Sequence, residues 1–217
     1  MPQNDRLSLL PGRTWIARHG ETVFNAARRL QGEIVHTPLT GAGVAQAQAI
    51  GAALRDARLI GPRARLWASP TGRTLQTMAL ICEQIHRDWH EVETDARLSE
   101  IGMGGWDGRA YADVEAEAGP IYDAAMQMFV ARAPAGEGYA EVAARVREWA
   151  EEQRGSEDRL IVTHGVTGGV LRGLLVGGRA HPTCGTLVAD PLPQGSIVLI
   201  EDGIETVVHR GRGEAPA

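Results

Sequence analysis

The chain has 217 residues, is 43% hydrophobic and carries a formal net charge of -5, enough for one ordinary core. No Lys/Arg block stands against that acidity, so nucleic acid is excluded as the expected partner, although a local basic pocket for a small anion is not. No apolar run approaches the ~20 residues of a membrane span, residues 1–12 lack signal-peptide features, and the two cysteines, Cys82 and Cys184, make no metal spacing. The expectation is a cytoplasmic protein without a membrane partner.

In chain order, Thr14–Ala17 reads as a buried first strand entered from Pro11-Gly12 and stopping at Arg18-His19-Gly20. Residues 26–40 are irregular, punctuated by Gly32 and Pro38. Thr40 caps a helix running to about Ala57, with Val44, Ala47, Ile50 and Leu54 on its inner face. Arg65–Ala68 is a second strand. Ser69-Pro70 predicts a helix start, Ser as cap and Pro in the first turn, and that helix continues to about His86.

Glu91–Thr94 is a short third strand, and 98–109, with four glycines, a shaped loop. Helices are expected over Tyr111–Ala118, Ile121–Ala131 and Tyr139–Gln153. Leu160–Thr163 is the clearest strand, and Gly165–Val176 a helix after it. Asp202-Gly203 marks a hairpin between Ser196–Glu201 and Glu205–His209. Alternating short strands and longer helices predict an α/β fold: a three-layer α/β/α sandwich on a mostly parallel central sheet with a helical cap insertion. One domain, 1–217, is expected, with 101–153 as the cap and 211–217 a loose tail.

Arg18-His19-Gly20 ends the first strand, Arg73 lies in the opening turn after the second, and Thr163-His164-Gly165 ends the strand at Leu160. In an open parallel sheet these positions face the carboxyl edge, where ligands bind and helix starts offer free N–H groups. Two histidines and two arginines then surround one phosphate. A neutral histidine can take a phosphoryl group covalently, arginines clamp its oxygens, and a carboxylic acid must serve the leaving oxygen.

These blocks also carry a resemblance. Arg18-His19-Gly20-Glu21-Thr22 with Asn25, Gln31-Gly32, Pro38-Leu39-Thr40, Ser69-Pro70 with Arg73, Leu98-Ser99-Glu100 with Gly105-Trp106-Asp107-Gly108, and Thr163-His164-Gly165 follow one another as in the histidine phosphatase superfamily, in its phosphoglycerate mutase-like branch. The resemblance implies that His19 is the phosphorylated nucleophile. Arg18, Arg73 and His164 would complete the phosphate pocket, His164 giving a donor to the transferring group, and Asn25 would be a further phosphate-side donor.

Glu100 would be the proton donor and later the base for water; Asp95, Asp107 and Glu93 are its neighbouring competitors. Thr22, Gln31, Gly32 and His36 are substrate-side candidates. No metal and no cofactor are implied. The loop Glu33–Thr37 departs from the family pattern, being one residue longer and without its Asp.

The implied activity is that of a histidine acid-type phosphatase acting on a small phosphorylated metabolite, with a homodimer compatible. A cofactor-dependent phosphoglycerate mutase is the alternative, but Glu100 is followed by Ile101-Gly102-Met103-Gly104, where the mutases carry arginine. A non-catalytic phospholigand-binding protein is the third reading, and retention of nucleophile and acid together speaks against it.

Overall fold

The computed structural model describes residues 10–153 and 155–212. The elements run β1 Thr14–Arg18, α1 Val23–Ala26, α2 Gly41–Asp56, β2 Arg65–Ala68, α3 Gly72–Ile85, β3 Val92–Thr94, α4 Tyr111–Ala118, β4 Tyr122–Asp123, β5 Met128–Phe129 and α5 Tyr139–Glu152. They continue with β6 Arg159–Thr163, α6 Gly165–Val176, β7 Arg179–Ala180, β8 Leu187–Val188, β9 Ile197–Glu201 and β10 Ile204–His209. The main sheet has the order β10-β9-β1-β6-β2-β3. β1 and β2 both pair in parallel with β6, and β3 in parallel with β2; the β9–β10 hairpin closes the other edge antiparallel to β1.

Alternation along the strands builds the two flanking layers. Trp15, Ala17, Leu66, Ala68, Leu160 and Val162 face one way and pack with Ile50 and Leu54 of α2 and Met78, Ile81 and Cys82 of α3. Ile16, Trp67 and Ile161 face the other way and pack with Val142, Val146 and Trp149 of α5 and with Val170, Leu171 and Leu174 of α6. Trp67 meets Trp149 edge-on at 5.6 Å, a geometry that aromatic quadrupoles favour. The fold is thus an α/β sandwich of three layers, and no helix among the described residues is long and apolar enough to cross a membrane.

Three local expectations change. Residues 121–131 are not a helix but the β4–β5 hairpin. Asp123 turns its carboxylate onto the amides of Ala125 and Met126, closing the turn, and Gln127 takes a left-handed φ of 55°. That local bonding competes with a helix. The cap of α3 is Thr71 rather than Ser69, and no side chain caps it; the Ser69 hydroxyl is engaged elsewhere. Val44 on α2 is 37% exposed rather than on the buried face.

Residues 177–195 carry a second small hairpin, β7–β8, that no turn signal announced. Of the expected tail, Gly211 gives its N–H to the Ser196 hydroxyl, while 213–217 lie outside the described residues. Cys82 is buried and Cys184 exposed, both as free thiols.

Candidate active site

The carboxyl ends of β1, β2 and β6 bring His19, Ser69 and His164 to one edge of the sheet. The His19 amide bonds to the Thr163 carbonyl and the Ser69 amide to that of Val162. His19 and His164, each 2% exposed, stand edge to face with ring centroids 5.3 Å apart. His19 Nδ1 donates to the Gly20 carbonyl at 2.7 Å. A carbonyl can only accept, so the proton sits on Nδ1 and Nε2 keeps its lone pair. Nε2 makes no hydrogen bond to a described residue. Burial, then Arg73 and Arg18, hold His19 well below the ordinary imidazole value, opposed by its bond to Gly20.

Arg18 is buried beside it. Its Nη1 donates to the Leu192 carbonyl at 2.7 Å, and its Nε is buried without a partner. The start of α6 passes so close that a Cβ on Gly165 would stand 3.2 Å from the Arg18 Cζ. Arg73, in the first turn of α3, is fully buried. Its Nε donates to His164 Nδ1, its Nη1 to the Ile34 carbonyl and the Thr37 hydroxyl, and its Nη2 to the Gly32 carbonyl, all within 3.1 Å. That accounts for four of the five guanidinium protons. Burial lowers Arg73 to about 10.

Since Arg73 occupies Nδ1 of His164 as a donor, the His164 proton lies on Nε2, 2.8 Å from Ser69 Oγ. Burial, Arg73 and His19 keep this ring well below the ordinary value too. In this arrangement both its nitrogens are engaged.

Glu100, 7% exposed, closes the site. Its Oε2 accepts from the amides of Gly165 and Val166, and its Oε1 from those of Thr167 and Ile101. The carboxylate therefore sits on the positive end of α6. Arg145, on α5, holds this loop: it pairs with Glu137 at 2.9 Å and donates to the Glu100 carbonyl. Among the competitors, Asp95 pairs with Arg97 and Glu93 with Arg65. Asp107 has a buried, unpartnered Oδ1 behind Gly32, and burial raises its pKa.

The remaining candidates divide. Asn25 accepts from the Thr22 amide and hydroxyl through Oδ1, while its Nδ2 is buried and unpartnered. The Thr22 hydroxyl contacts Gln31 as well, so Thr22 and Gln31 brace Asn25. Gly32 presents its carbonyl to Arg73. His36 is exposed and is not brought to the pocket by any bond among the described residues. Ser69, Thr37, Arg145 and the Leu192 carbonyl escaped the sequence reading. Ser69 lay inside a quoted motif but read as a cap; Leu192 carried no signal. No group of three or more metal-binding side chains occurs among the described residues.

Comparisons with known proteins agree on this framework. The family model described as histidine phosphatase superfamily (branch 1) matches residues 14–183. A Proteus mirabilis protein described as a probable phosphoglycerate mutase GpmB is 32% identical over 170 residues, 75% of this chain and 74% of its own. Bacillus stearothermophilus YhfR superposes with a TM-score of 0.72 at 26% identity, over 94% of this chain and 98% of that one. Mycobacterial glucosyl-3-phosphoglycerate phosphatase, in complex with VO3, has the same fold at a TM-score of 0.69 and 24% identity, covering 90% of this chain and 97% of its own.

Proposed function

This chain belongs to the histidine phosphatase superfamily and is a hydrolase at that level; from this premise we propose that it is a phosphomonoester phosphatase working through a phosphohistidine on His19. The observation that carries the proposal is a set of open valences in a buried, cationic place. Arg18 Nε and Asn25 Nδ2 are buried donors without partners, and Arg18 directly precedes a histidine whose Nδ1 is pinned on the Gly20 carbonyl. Leaving buried donors unmade costs about 1–3 kcal/mol each. A phosphate answers both donors and neutralises Arg18 and Arg73.

In the first step His19 Nε2 attacks phosphorus, the ester P–O bond breaks, and the departing alkoxide takes a proton from Glu100. In the second, Glu100 takes a proton from water, whose oxygen displaces His19 and releases inorganic phosphate. Glu100 reaches both steps from the α6 amides that hold it. Arg18 and Arg73 carry the oxygen charge in both steps. On this reading the chain is one domain, its 101–153 insertion walls the pocket, and the substrate is a small phosphorylated metabolite; no step requires a metal.

A second reading, phosphoglycerate mutase, is favoured by the name of the Proteus mirabilis relative. A mutase must retain a bisphosphate, which needs spare cations beyond the phosphate pocket. In the insertion Arg109 pairs with Glu117, Arg132 with Glu141 and Arg145 with Glu137, while Ile101 and Met103 beside Glu100 are buried and apolar. Water as the acceptor fits this charge balance better.

The test is turnover of p-nitrophenyl phosphate with excess chelator, alongside 3-phosphoglycerate with and without 2,3-bisphosphoglycerate. Hydrolysis that survives chelator and His19→Ala abolishing an acid-labile, base-stable phosphoprotein are expected. Mutase activity exceeding hydrolysis would give the second reading, and labelling that persists in His19→Ala would remove His19 as nucleophile.

A further inference from the structure

Behind the two histidines lies a chain of buried hydroxyls that the reaction scheme leaves unused. Ser69, Thr71 and Thr74 are 0%, 3% and 0% exposed. The Thr74 hydroxyl lies 2.8 Å from the Ser69 carbonyl and 2.7 Å from the Thr71 carbonyl. Carbonyls only accept, so the single Thr74 proton is spent there, and Thr74 Oγ1 must accept from Thr71 Oγ1 at 2.9 Å. The Thr71 proton is then committed forward, and Thr71 Oγ1 can only accept from Ser69 Oγ, at the longer distance of 3.5 Å. With its own proton directed toward Thr71, Ser69 Oγ meets His164 Nε2 as an acceptor at 2.8 Å.

The other side of the ring gives the same answer independently. Arginine has donors and no acceptor, so Arg73 Nε at 3.1 Å from Nδ1 leaves that nitrogen a lone pair only. Two one-way constraints, one from α3's arginine and one from a hydroxyl chain anchored on backbone carbonyls, therefore specify the same tautomer. A second proton on Nδ1 would set two donors against each other.

We infer that Ser69, backed by Thr71 and Thr74, is a positioning residue that fixes the His164 ring and its Nε2 proton beside His19. Its value to catalysis rests on the phosphohistidine reading above. With the ring fixed, His164 offers one donor of known direction, held on Ser69 until phosphoryl oxygens on His19 draw it forward. A ring free to rotate would have to be reoriented in each turnover. The residue that reads in the sequence as a helix cap is thus diverted from capping because the histidine claims its hydroxyl.

The experiment is long-range ¹H–¹⁵N correlation of histidine-labelled whole protein at pH 7, with His164→Asn for assignment. The expected result is a protonated Nε2 and a lone-pair Nδ1 for His164, and the reverse for His19. This measurement needs no activity, so it stands apart from failure of the phosphatase reading, which the phosphoprotein label reports.

Ser69→Ala should remove the hydrogen-bonded Nε2 proton signal and lower kcat about ten- to a hundredfold, the scale for losing a buried partner of a functional histidine, with KM changing less than about threefold. Ser69→Thr, which keeps the hydroxyl, should retain the signal. Thr71→Val should shift it in the same direction by less. A His164 protonated on Nδ1 in the unaltered protein would overturn the inference outright, whether or not the variants fold, as would an unchanged Nε2 signal in folded Ser69→Ala.

Discussion

At the scale of single residues the site is governed by neutrality. His19 and His164 are both held neutral by burial among arginines, whereas in the unfolded chain each titrates near the ordinary value of about 6.5. Below that value the unfolded chain binds protons that the folded one refuses. Their contribution to stability is therefore complete above about pH 6.5 and falls as pH drops toward the depressed native values, by up to about 1.4 kcal/mol per pH unit for each ring. Urea midpoints at pH 7.5 and 5.5 should separate more for the unaltered protein than for His19→Asn, and equal separations would place His19 in solvent. Arg73 shows why type and geometry both matter. A lysine cannot reach His164, Ile34, Thr37 and Gly32 at once. Arg73→Lys should lower kcat/KM by about a hundredfold or more despite the retained charge, and near-normal kinetics would reduce Arg73 to a counter-charge.

Among elements, the approach of the turn after β1 to the start of α2 sets the position of His19. A Cβ on Gly20 would overlap the Gly43 carbonyl, and one on Gly43 the Glu21 carbonyl, so both positions require glycine for packing. The turn of the β4–β5 hairpin is closed by the Asp123 carboxylate, while Tyr139 and His181 hold Phe129 on its second strand. Asp123→Ala should destabilise the protein by about 1 kcal/mol, as loss of such a local cap does, leaving kcat nearly unchanged. A change in kcat without a change in stability would show that the hairpin touches the substrate. The same residue explains what sequence could not show. Met126 and Phe129 stand at helical spacing, and nothing local says that Asp123 turns inward to bond Ala125 and Met126 first. By contrast β1, β2, β6 and α6 were legible because hydrophobic alternation, glycine and strand ends coincide. Arg18, His19, Arg73 and His164 were legible for the same reason, as each ends or follows a strand. Leu192 and Arg145 were not: their contribution is a carbonyl and a long-range brace, chosen by tertiary contact and unmarked in composition.

On the scale of the whole molecule a protein of net charge -5 buries two arginines and two neutral histidines at one sheet edge with donors unmade. Such a site stores free energy that an anion recovers, so ligand should be visible as global stability. Orthovanadate or inorganic phosphate at a hundred times its dissociation constant should add about 2.7 kcal/mol. For a domain of this size that is about 5–10 °C in Tm, measurable by thermal denaturation. The shift should vanish in Arg73→Ala, since the guanidinium supplies both charge and the link to His164. It should persist in His19→Asn for phosphate if the unpartnered donors of Arg18 and Asn25, rather than the His19 lone pair, hold the anion. Chloride at equal ionic strength should give no comparable shift, because general screening acts on exposed charges and Arg18 and Arg73 are buried. Equal shifts with chloride and phosphate would mean that the unmade donors are not an anion site, and the phosphatase reading would lose its main support.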